Sequence, residues 1–594
     1  MRSGIRRCDR KLYRDTEART WRDQRKQESQ GQPAGGGHPR SLSHHRPVSD
    51  SILNVLPANN ATAHGTVRPE DTPRGDTRPP TPPSPARGHG LSTERKLVFG
   101  AAIALVLLRS SVFVFFDAIF DSDQAIVGLM AKHLSEGRTF PVFTYGQDYQ
   151  LAIEAWLAAP LFWLFGPSVL ALKFPLLLIN IALAIVLIHL LERELGLRPV
   201  VGLLVASLFI LSPPGTTIYF LEASGGQVEP LFAALLLWLT RRQPFAFGII
   251  LAFGFLQRVF TAYALGALVV VELLDRSLFT TVGWQRKLKA AMSFTAVWQG
   301  IGLARAQAGS AWGPATSEAY AGLQTTTSDS AALNVGFLLD RFCFDPGSLP
   351  GSLVDFGGPF LSTLLGGHRE PLVDLAIPSA GTQGVNGLWI LLGTALVLAL
   401  GRSVWHTVRG TARAWDTHLQ FATYLFLIGA QSSVVYLLSQ CGEISIMTMR
   451  YTLLTVLGIV GLVAYHVVIE TRKPLRYLTL AVVSLWAAVA LWGHARLLSE
   501  FVRDPPVNNR QVLADYLVAN DVEYGYADFW DVYSTVFFAD EQVILSSTSV
   551  WFIQEYERIV QNHQEEAFWI AREPCEDGIL ATDVHYVCPP RAGP

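Results

Sequence analysis

The chain has 594 residues, of which 50% are apolar and 16% are charged, and its mean hydropathy is +0.28. Soluble domains carry about 25% charged residues, so this composition excludes an ordinary soluble protein. The formal net charge of -2 is unevenly distributed, because residues 1–96 hold 18 Lys and Arg against 10 Asp and Glu. Five cysteines without a CxxC pair argue against a structural zinc site or a disulfide scaffold, and P-loop, HExxH and EF-hand sequences are absent.

Residues 1–96 form the basic part of the chain. They are rich in Arg, Gly, Pro, Ser and His, and they lack the apolar residues that would offset the entropy lost on ordering. The first apolar stretch begins at Leu97, so we expect no signal peptide before it. We predict a disordered, basic tail that stays in the cytoplasm and is either dispensable or a binding arm.

Apolar blocks follow the tail. A membrane-spanning helix needs about 20 predominantly apolar residues, and the blocks predict an α-helical polytopic membrane protein with about eleven transmembrane helices. The predicted spans are 97–116, 169–190, 199–212, 229–240, 244–256, 259–274, 290–305, 386–401, 418–439, 451–469 and 477–494.

The charges between the spans predict the orientation, since cytoplasmic loops are enriched in Lys and Arg. Residues 151–165 are few for a span and carry Glu154, so we assign them to the membrane interface. With that assignment every basic loop falls in the cytoplasm. The basic residues of these loops are Arg193, Arg198, Arg241, Arg242, Arg276, Arg286, Lys287, Lys289, Arg402, Arg409, Arg413, Arg472, Lys473 and Arg476. We predict a multi-pass protein of the cell (inner) membrane with a cytoplasmic amino terminus and an extracytoplasmic carboxyl terminus.

The long polar segments then lie on the outer face. They include the loops 117–168 and 306–385 and everything after about 495. In that last part, residues 511–518 and 552–560 have helical spacing, and residues 542–545 resemble a strand. We therefore predict three domains: the tail 1–96, a transmembrane domain 97–494 and a small extracytoplasmic α/β domain 495–594.

The first external loop contains the strongest candidate site. Its apolar residues share one face of a predicted helix over 120–134, and Asp121 and Asp123 lie at the amino-terminal end of that helix. A carboxylate at such a position commonly caps the helix. Two carboxylates beside a bilayer segment are, however, costly unless they are used or paired. We predict Asp121 and Asp123 as catalytic residues, with helix capping as the alternative for Asp123.

Several segments carry a resemblance to a known family. Asp-Ser-Asp-Gln-Ala at 121–125, Tyr-Gly-Gln-Asp-Tyr at 145–149 and Glu-Ala-Trp at 154–156 resemble the first periplasmic loop of bacterial polyprenyl-phosphate-sugar glycosyltransferases of the GT-C fold. This group contains the aminoarabinose and protein O-mannosyl transferases. Further segments that are similar to these proteins are Gly-Gly-Gln-Val-Glu at 225–229, Arg450-Tyr451 and Gly-Tyr-Ala-Asp-Phe-Trp at 525–530.

The resemblance covers residues 97–590 and implies a function. The expected protein has a GT-C-like membrane domain and moves a hexosyl or pentosyl group from a polyprenyl-phosphate donor to an acceptor hydroxyl at the outer face, with inversion. The acceptor would be a lipid, a glycan or a protein, the other partners would be membrane lipids, and nucleic acid is not expected. Asp123 matches the first acid of the family's acidic pair. Gln124 stands where the second acid is usual, and Gln227 stands where a histidine is usual.

Sugar transfer from a lipid phosphodiester needs a base and a cation. A carboxylate takes the proton of the acceptor hydroxyl as the new bond forms, and Asp123 is the candidate. A cation stabilises the leaving phosphate, whose negative charge grows in the transition state. Arg258 and Arg450 each lie at the predicted outer end of a span, where a phosphate headgroup would sit. The alternative for both arginines is contact with lipid headgroups.

The remaining polar residues of the outer loops have lower-ranked roles. We predict Asp148, Glu154, Gln227 and Glu229 as substrate-positioning residues, and Glu222 is a further acid of the second loop. The sequence predicts no metal-ligand set and no required cofactor. A divalent cation between Asp123 and Glu229 stays an alternative.

Two other functions are compatible with the sequence. A transporter or flippase for lipid-linked glycans would also have many spans, outer arginines and boundary acids. No clear internal repeat is visible, and the charges cluster at one face rather than at mid-span, which favours the enzyme. A non-catalytic relative is the third reading, because of Gln124 and Gln227.

Cys575 and Cys588 lie 13 positions apart in the predicted outer domain. Neighbouring thiols of a small domain usually pair in an oxidising compartment. We predict a disulfide between them, with two unpaired thiols as the alternative.

The orientation can be tested with reporters fused after Pro594. Because the basic loops place the carboxyl terminus outside, a reporter that works only outside the cytoplasm should be active there. A reporter that works only in the cytoplasm serves as the control and should be silent. Cytoplasmic activity would contradict the orientation.

Overall fold

Apolar helices form the membrane part of the structure. The computed structural model describes residues 88–117, 119–146, 150–311, 347, 349–357, 361–366, 388–410, 416–439 and 446–590. The predicted disordered tail up to residue 87, most of the predicted loop 306–385, and Asp148 lie outside the described residues.

The helices of the membrane part follow one another with short connections. They are α1 (Gly88–Phe115), α2 (Ser122–Ser135), α3 (Ile153–Phe165), α4 (Val169–Leu195), α5 (Pro199–Ile210), α6 (Pro214–Phe220), α7 (Glu229–Thr240), α8 (Pro244–Gln257), α9 (Thr261–Leu274), α10 (Thr281–Ala311), α11 (Leu349–Asp355), α12 (Leu361–Leu364), α13 (Leu388–Val408), α14 (Gln420–Ser439), α15 (Thr455–Ile469) and α16 (Lys473–Arg503). Short 3-10 turns occur at Ser277–Phe279 and Ile446–Thr452.

Each of the eleven predicted spans falls on a helix, but the helices differ in length. Among the described residues, five are long and apolar enough to cross a membrane: Thr93–Phe115, Val169–Leu195, Trp389–Val408, Gln420–Ser439 and Lys473–Arg503. The pair α5 and α6, bent by 86°, would make a sixth if it is one broken span. The protein is therefore a polytopic membrane protein, as the sequence predicts.

The other predicted spans rest on shorter or more polar helices. Helices α7, α8, α9 and α15 have 12 to 15 residues, which is about 18 to 23 Å of helix against a hydrocarbon core of about 30 Å. The span predicted at 290–305 lies within the longer and more polar α10. Helix length and composition thus support five or six spans, and the count of eleven and the orientation stay predictions.

The carboxyl-terminal residues fold into a small α/β unit. Its helices are α17 (Asn509–Ala519), α18 (Phe529–Phe538) and α19 (Gln554–Asn562), and its strands are β1 (Tyr524–Ala527), β2 (Ile544–Ser547), β3 (Phe568–Ala571), β4 (Ile579–Leu580) and β5 (Tyr586–Cys588). The sheet order is β2-β1-β3-β5-β4, with β1 parallel to β2 and β3, and β5 antiparallel to β3 and β4.

Local sequence signals explain this unit. The predicted helices over 511–518 and 552–560 are α17 and α19, and the predicted strand over 542–545 overlaps β2. Asn508 begins α17 as its cap, because its side chain accepts a hydrogen bond from the backbone N–H of Arg510. Cys575 and Cys588 are joined in a disulfide with their Cα atoms 6.1 Å apart, so the structure contains the pairing that the sequence predicts.

Helix α2 packs against the carboxyl-terminal unit through α18. At Gly128 a Cβ atom would lie 2.8 Å from the ring of Phe537, so only glycine permits this approach. Phe120 contacts the same ring, with centroids 5.1 Å apart, and the hydroxyl of Ser122 accepts a hydrogen bond from the backbone N–H of Tyr533. The buried apolar side chains of α2 and of the carboxyl-terminal unit belong to one continuous cluster.

A buried carboxylate completes this contact. Glu541 accepts hydrogen bonds from His133 (3.0 Å), Arg138 (3.1 Å) and Tyr556 (2.7 Å), and it pairs with the Lys132 ammonium at 3.0 Å. Burial alone would raise the pKa of the Glu541 carboxyl, but the hydrogen bonds from His133 and Arg138 hold it well below its usual range. The last turn of α2 is thereby tied to the carboxyl-terminal unit by charge.

Replacing Glu541 tests this connection. Glu541→Gln removes the negative charge while keeping the shape, so Lys132 and Arg138 each lose one counter-charge, although Asp540 and Glu136 remain beside them. We expect the free energy of unfolding to fall by about 2 kcal/mol, less than for a fully buried pair because Arg138 is partly exposed. Denaturant unfolding of the detergent-solubilised protein measures it. Glu565→Gln, at an exposed position, is the matched control, and equal stabilities of the two variants would contradict the prediction.

Candidate functional site

The two predicted catalytic acids have different roles at the amino-terminal turn of α2. Asp121 is the N-cap residue, and its side chain accepts a hydrogen bond from the backbone N–H of Gln124 at 3.1 Å. The side-chain amide of Gln124 also donates to Asp121, at 3.3 Å. Asp123 lies in the first turn of the helix. The capping role that the sequence left open for Asp123 therefore belongs to Asp121, and Asp123 has a different set of partners.

Asp123 faces the guanidinium group of Arg450. One terminal nitrogen of Arg450 lies 3.6 Å from a carboxylate oxygen of Asp123 and 3.8 Å from one of Glu222. Arg450 lies in the 3-10 turn Ile446–Thr452 that precedes α15, and its guanidinium lies 5.5 Å from the ring centroid of Tyr451. Arg450 and Asp123 each keep about a quarter of their side-chain surface exposed, so a ligand can reach the pair from the protein surface.

The carboxyl groups of the two acids beside Arg450 differ in pKa. Burial, helped by the neighbouring Asp121, raises the pKa of the Asp123 carboxyl to about 6, and Arg450 and Arg258 oppose this rise. Burial also raises the pKa of the Glu222 carboxyl, to about 8, with Asp121 and Asp123 adding to it. Burial therefore favours the protonated form of both carboxyl groups, and more strongly for Glu222 than for Asp123. A carboxylate with a pKa close to the working pH suits general base chemistry.

A second cluster surrounds the turn at Gly225 and Gly226. The carboxyl group of Glu154 accepts a hydrogen bond from the backbone N–H of Gly225 at 2.8 Å and another from that of Gly226 at 2.7 Å. Both glycines have positive φ, +92° and +86°. Successive backbone N–H groups in such a turn form a concavity that binds anions, and here its occupant is Glu154.

Arg258 connects this turn to the first cluster. Its Nε donates a hydrogen bond to the carbonyl oxygen of Gly225 at 2.7 Å. Its charge lowers the pKa of the Asp123 carboxyl, although burial raises that pKa more. The structure thus brings Asp123, Arg450 and Arg258 into one electrostatic neighbourhood.

The other predicted positioning residues line the same region. Gln227 is buried and its side-chain amide donates to the hydroxyl of Ser224 at 3.2 Å. Glu229 begins α7 and its carboxyl group interacts with that of Glu154. Among the described residues, no group of three or more His, Cys, Asp or Glu side chains is placed to hold a metal ion.

Two buried residues of this region were missed in the sequence. The Lys173 ammonium donates to the carbonyl oxygens of Ile119 (2.9 Å) and Phe113 (3.2 Å), which holds the chain just before α2. Its signal was a lysine inside an apolar span, which is costly without a partner. Gln150 donates to Thr144 and to the carbonyl oxygen of Ser224, and no local pattern marked it.

The chain was compared with known proteins. No protein-family model matches it, and no curated protein matches it. It is similar to the solved structure of ArnT from Cupriavidus metallidurans bound to undecaprenyl phosphate, with 12% sequence identity and a TM-score of 0.39, over 84% of this chain and 99% of that chain. The same protein in the apo state gives 12% identity and a TM-score of 0.37, over 84% and 98%.

A second similar structure is the Archaeoglobus fulgidus oligosaccharyltransferase in the apo form. The identity is 12% and the TM-score is 0.41, over 80% of this chain and 69% of that chain. Both proteins are membrane glycosyltransferases of the GT-C fold, which is the class that the sequence resembles. At these values the likeness carries no further argument, and the functional proposal rests on the site.

The glycine turn can be tested by adding one methyl group. In Gly225→Ala the new Cβ atom would overlap the side-chain amide of Gln150 at a φ of +92°, so the turn must shift. We expect a loss of roughly 2 kcal/mol in the free energy of unfolding. Gly215→Ala is the matched control, because its Cβ atom would meet its nearest neighbour at an ordinary 3.5 Å. Denaturant unfolding of both variants measures the difference, and an unaffected Gly225→Ala variant would contradict the geometry.

Proposed function

We propose that this protein is an integral membrane glycosyltransferase that moves a sugar from a polyprenyl-phosphate donor to an acceptor hydroxyl at the outer face of the membrane. The observation that carries the proposal is the pairing of Asp123 with Arg450, 3.6 Å apart, with Arg258 close enough to influence the same carboxylate. A base beside two cations is what transfer from a phosphate leaving group requires.

Asp123 acts as the general base. Its carboxylate takes the proton of the acceptor hydroxyl while the hydroxyl oxygen forms its bond to the anomeric carbon. At the same time the bond from that carbon to the phosphate oxygen breaks, and the electron pair leaves with the phosphate. A single displacement of this kind inverts the configuration at the anomeric carbon. Burial is the main cause of the raised pKa of the Asp123 carboxyl. Asp121 supports the step by adding to this rise and by capping α2.

Arg450 and Arg258 bind the phosphate of the donor. The phosphate goes from about one negative charge to nearly two as the sugar leaves, so a cation stabilises the transition state more than the ground state. Glu222 is the second acid beside Arg450, and because burial favours its protonated form, it leaves the arginine charge free for the phosphate.

The substrates follow from the same chemistry. The donor is a hexosyl or pentosyl polyprenyl phosphate, and the acceptor is a hydroxyl of a lipid, a glycan or a protein. No cofactor is required in this mechanism, and a divalent cation would act beside the phosphate rather than as the base. The amino terminus lies in the cytoplasm, and the site lies at the outer face of the inner membrane.

The alternative function is transport of a lipid-linked glycan. The observation that favours it is the broken helix pair α5 and α6, since transporters use discontinuous helices at their substrate sites. A transporter would move the intact glycolipid between leaflets of a vesicle, whereas the enzyme releases polyprenyl phosphate. A non-catalytic relative would do neither.

Removing the base tests the enzyme. In Asp123→Asn the amide keeps the shape of the side chain but cannot take a proton, so we expect sugar transfer to fall by about 100-fold or more. The assay measures release of polyprenyl phosphate by the purified protein from polyprenyl-phosphate sugar and a membrane extract as acceptor. Asp528→Asn is the matched control, because Asp528 is an N-cap carboxylate of α18 in the carboxyl-terminal unit. Transfer within a few-fold of wild type in Asp123→Asn would contradict the role of Asp123.

The pH dependence tests the same assignment. Burial raises the pKa of Asp123 to about 6, so the carboxyl is protonated and inactive as a base below that pH. We expect kcat/KM to rise with pH through an inflection near 6. Arg450→Gln removes a cation that opposes the rise in pKa, so its inflection moves to higher pH and its maximum falls. An Arg450→Gln profile with an unchanged inflection would contradict the pairing.

A further inference from the structure

The Glu154 carboxyl group is buried, with 3% of the residue exposed, and both of its oxygens are occupied by the backbone of the Gly225–Gly226 turn. Both oxygens of Glu154 therefore already accept a bond from the protein backbone, and the group is directed at the turn. The substrate-positioning role that the sequence predicts for Glu154 would then act through the turn.

We propose that Glu154 is a positioning residue: it holds the Gly225–Gly226 turn, and the turn orients the guanidinium group of Arg258. The chain of contacts has two links, from Glu154 to the backbone N–H groups of both glycines, and from the Gly225 carbonyl oxygen to Nε of Arg258. Only the identity of what Arg258 binds, a lipid phosphate, rests on the proposed function.

The turn has little freedom to adopt another conformation. A Cβ atom at Gly226 would lie 2.9 Å from both the Arg258 side chain and the Gln257 amide. On the other side the Gln150 amide fills the space next to Gly225. The backbone of the turn is therefore enclosed by side chains, and a shift of the turn must move Arg258.

The use of Nε leaves the two terminal nitrogens of Arg258 for a ligand. Within the described part of the chain, Nε of Arg258 donates to the carbonyl oxygen of Gly225, and the two terminal nitrogens donate no hydrogen bond to a protein acceptor. An arginine held by Nε presents its terminal nitrogens in a fixed direction, which suits binding of an oxyanion through two parallel bonds. A turn that shifted would lose this direction while the charge remained.

Glu229 makes the burial of Glu154 tolerable. Burial and the neighbouring Glu229 raise the pKa of the Glu154 carboxyl well above its usual range, and the two glycine N–H groups oppose this rise. Burial raises the pKa of the Glu229 carboxyl, and hydrogen bonds to it from Glu154 and from the backbone N–H groups of Glu229 and Val228 oppose this rise. The pair shares one proton, and the turn is held without two uncompensated charges.

The experiment combines two readouts on the full-length protein in detergent. Hydrogen exchange of the peptide that contains Gly225 and Gly226 reports on the turn. The affinity for undecaprenyl phosphate alone, without a sugar, reports on Arg258. The variants are Glu154→Gln, Arg258→Ala and the double variant. Glu194→Gln is the matched control, because Glu194 lies in the last turn of α4 and pairs with Arg241.

Glu154→Gln presents one acceptor oxygen and one N–H donor to a turn that offers two N–H groups. We expect faster exchange of the turn and an affinity for undecaprenyl phosphate lower by about tenfold, as in Arg258→Ala. The double variant should bind no more weakly than Arg258→Ala, because Glu154 acts through Arg258. Glu194→Gln should change neither readout. Glu154→Asp keeps two acceptor oxygens and should restore part of the affinity, which separates positioning from a folding defect.

Three outcomes would overturn the proposal: unchanged exchange in Glu154→Gln, faster exchange with unchanged affinity, or additive losses in the double variant. A failure of the proposed function would be recognised by a separate pair of results. If the wild-type protein does not bind undecaprenyl phosphate, or if Arg258→Ala binds it as wild type does, the donor assignment is wrong. The exchange readout then still decides whether Glu154 holds the turn.

Discussion

The guanidinium group of Arg450 is the interaction on which the arrangement of the candidate site depends. One of its nitrogens lies near both Asp123 and Glu222, and the three residues come from α2, the loop before α7 and the turn before α15. Burial of the two carboxyl groups disfavours their ionised forms, and a cation beside them offsets this cost for the group that ionises. The arginine therefore stabilises the approach of three distant parts of the chain.

Helix α2 extends this arrangement to the carboxyl-terminal unit. Its first turn carries Asp123 next to Arg450, and its last turn carries Lys132 and His133 next to Glu541. An acid at the amino-terminal end and basic groups at the carboxyl-terminal end also match the direction of the helix dipole. The helix is held by charge at both ends and by close packing of Gly128 against Phe537 in between. A displacement of the carboxyl-terminal unit would consequently move Asp123.

Much of this architecture could be predicted from the sequence, and the exceptions have physical reasons. Apolar blocks and helical spacing are patterns of residues that are close in sequence, so they predict the membrane helices and α2. The count of spans was not supported to the same extent, because an apolar run shows hydrophobicity but not where a helix ends. Helical spacing predicts α2 but not its first residue, which is Ser122, so the cap is Asp121 and not Asp123, for which the sequence left capping open. Glu541 and Gln150 act through contacts that are remote in sequence or irregular in backbone, and no periodic pattern marks such residues.

The bond between His133 and Glu541 joins residues that are 408 positions apart. During synthesis, α2 leaves the ribosome among the first helices, whereas the turn that carries Glu541 follows only after the last long membrane helix has been made. Until then Lys132 lacks Asp540 and Glu541 as partners, His133 lacks its hydrogen bond to Glu541, and the face of α2 that receives Phe537 is uncovered. The nascent protein is thus inserted in the membrane long before α2 is fixed at both ends. A chain that terminates before Glu541 would reach the membrane with an unfinished contact at the last turn of α2.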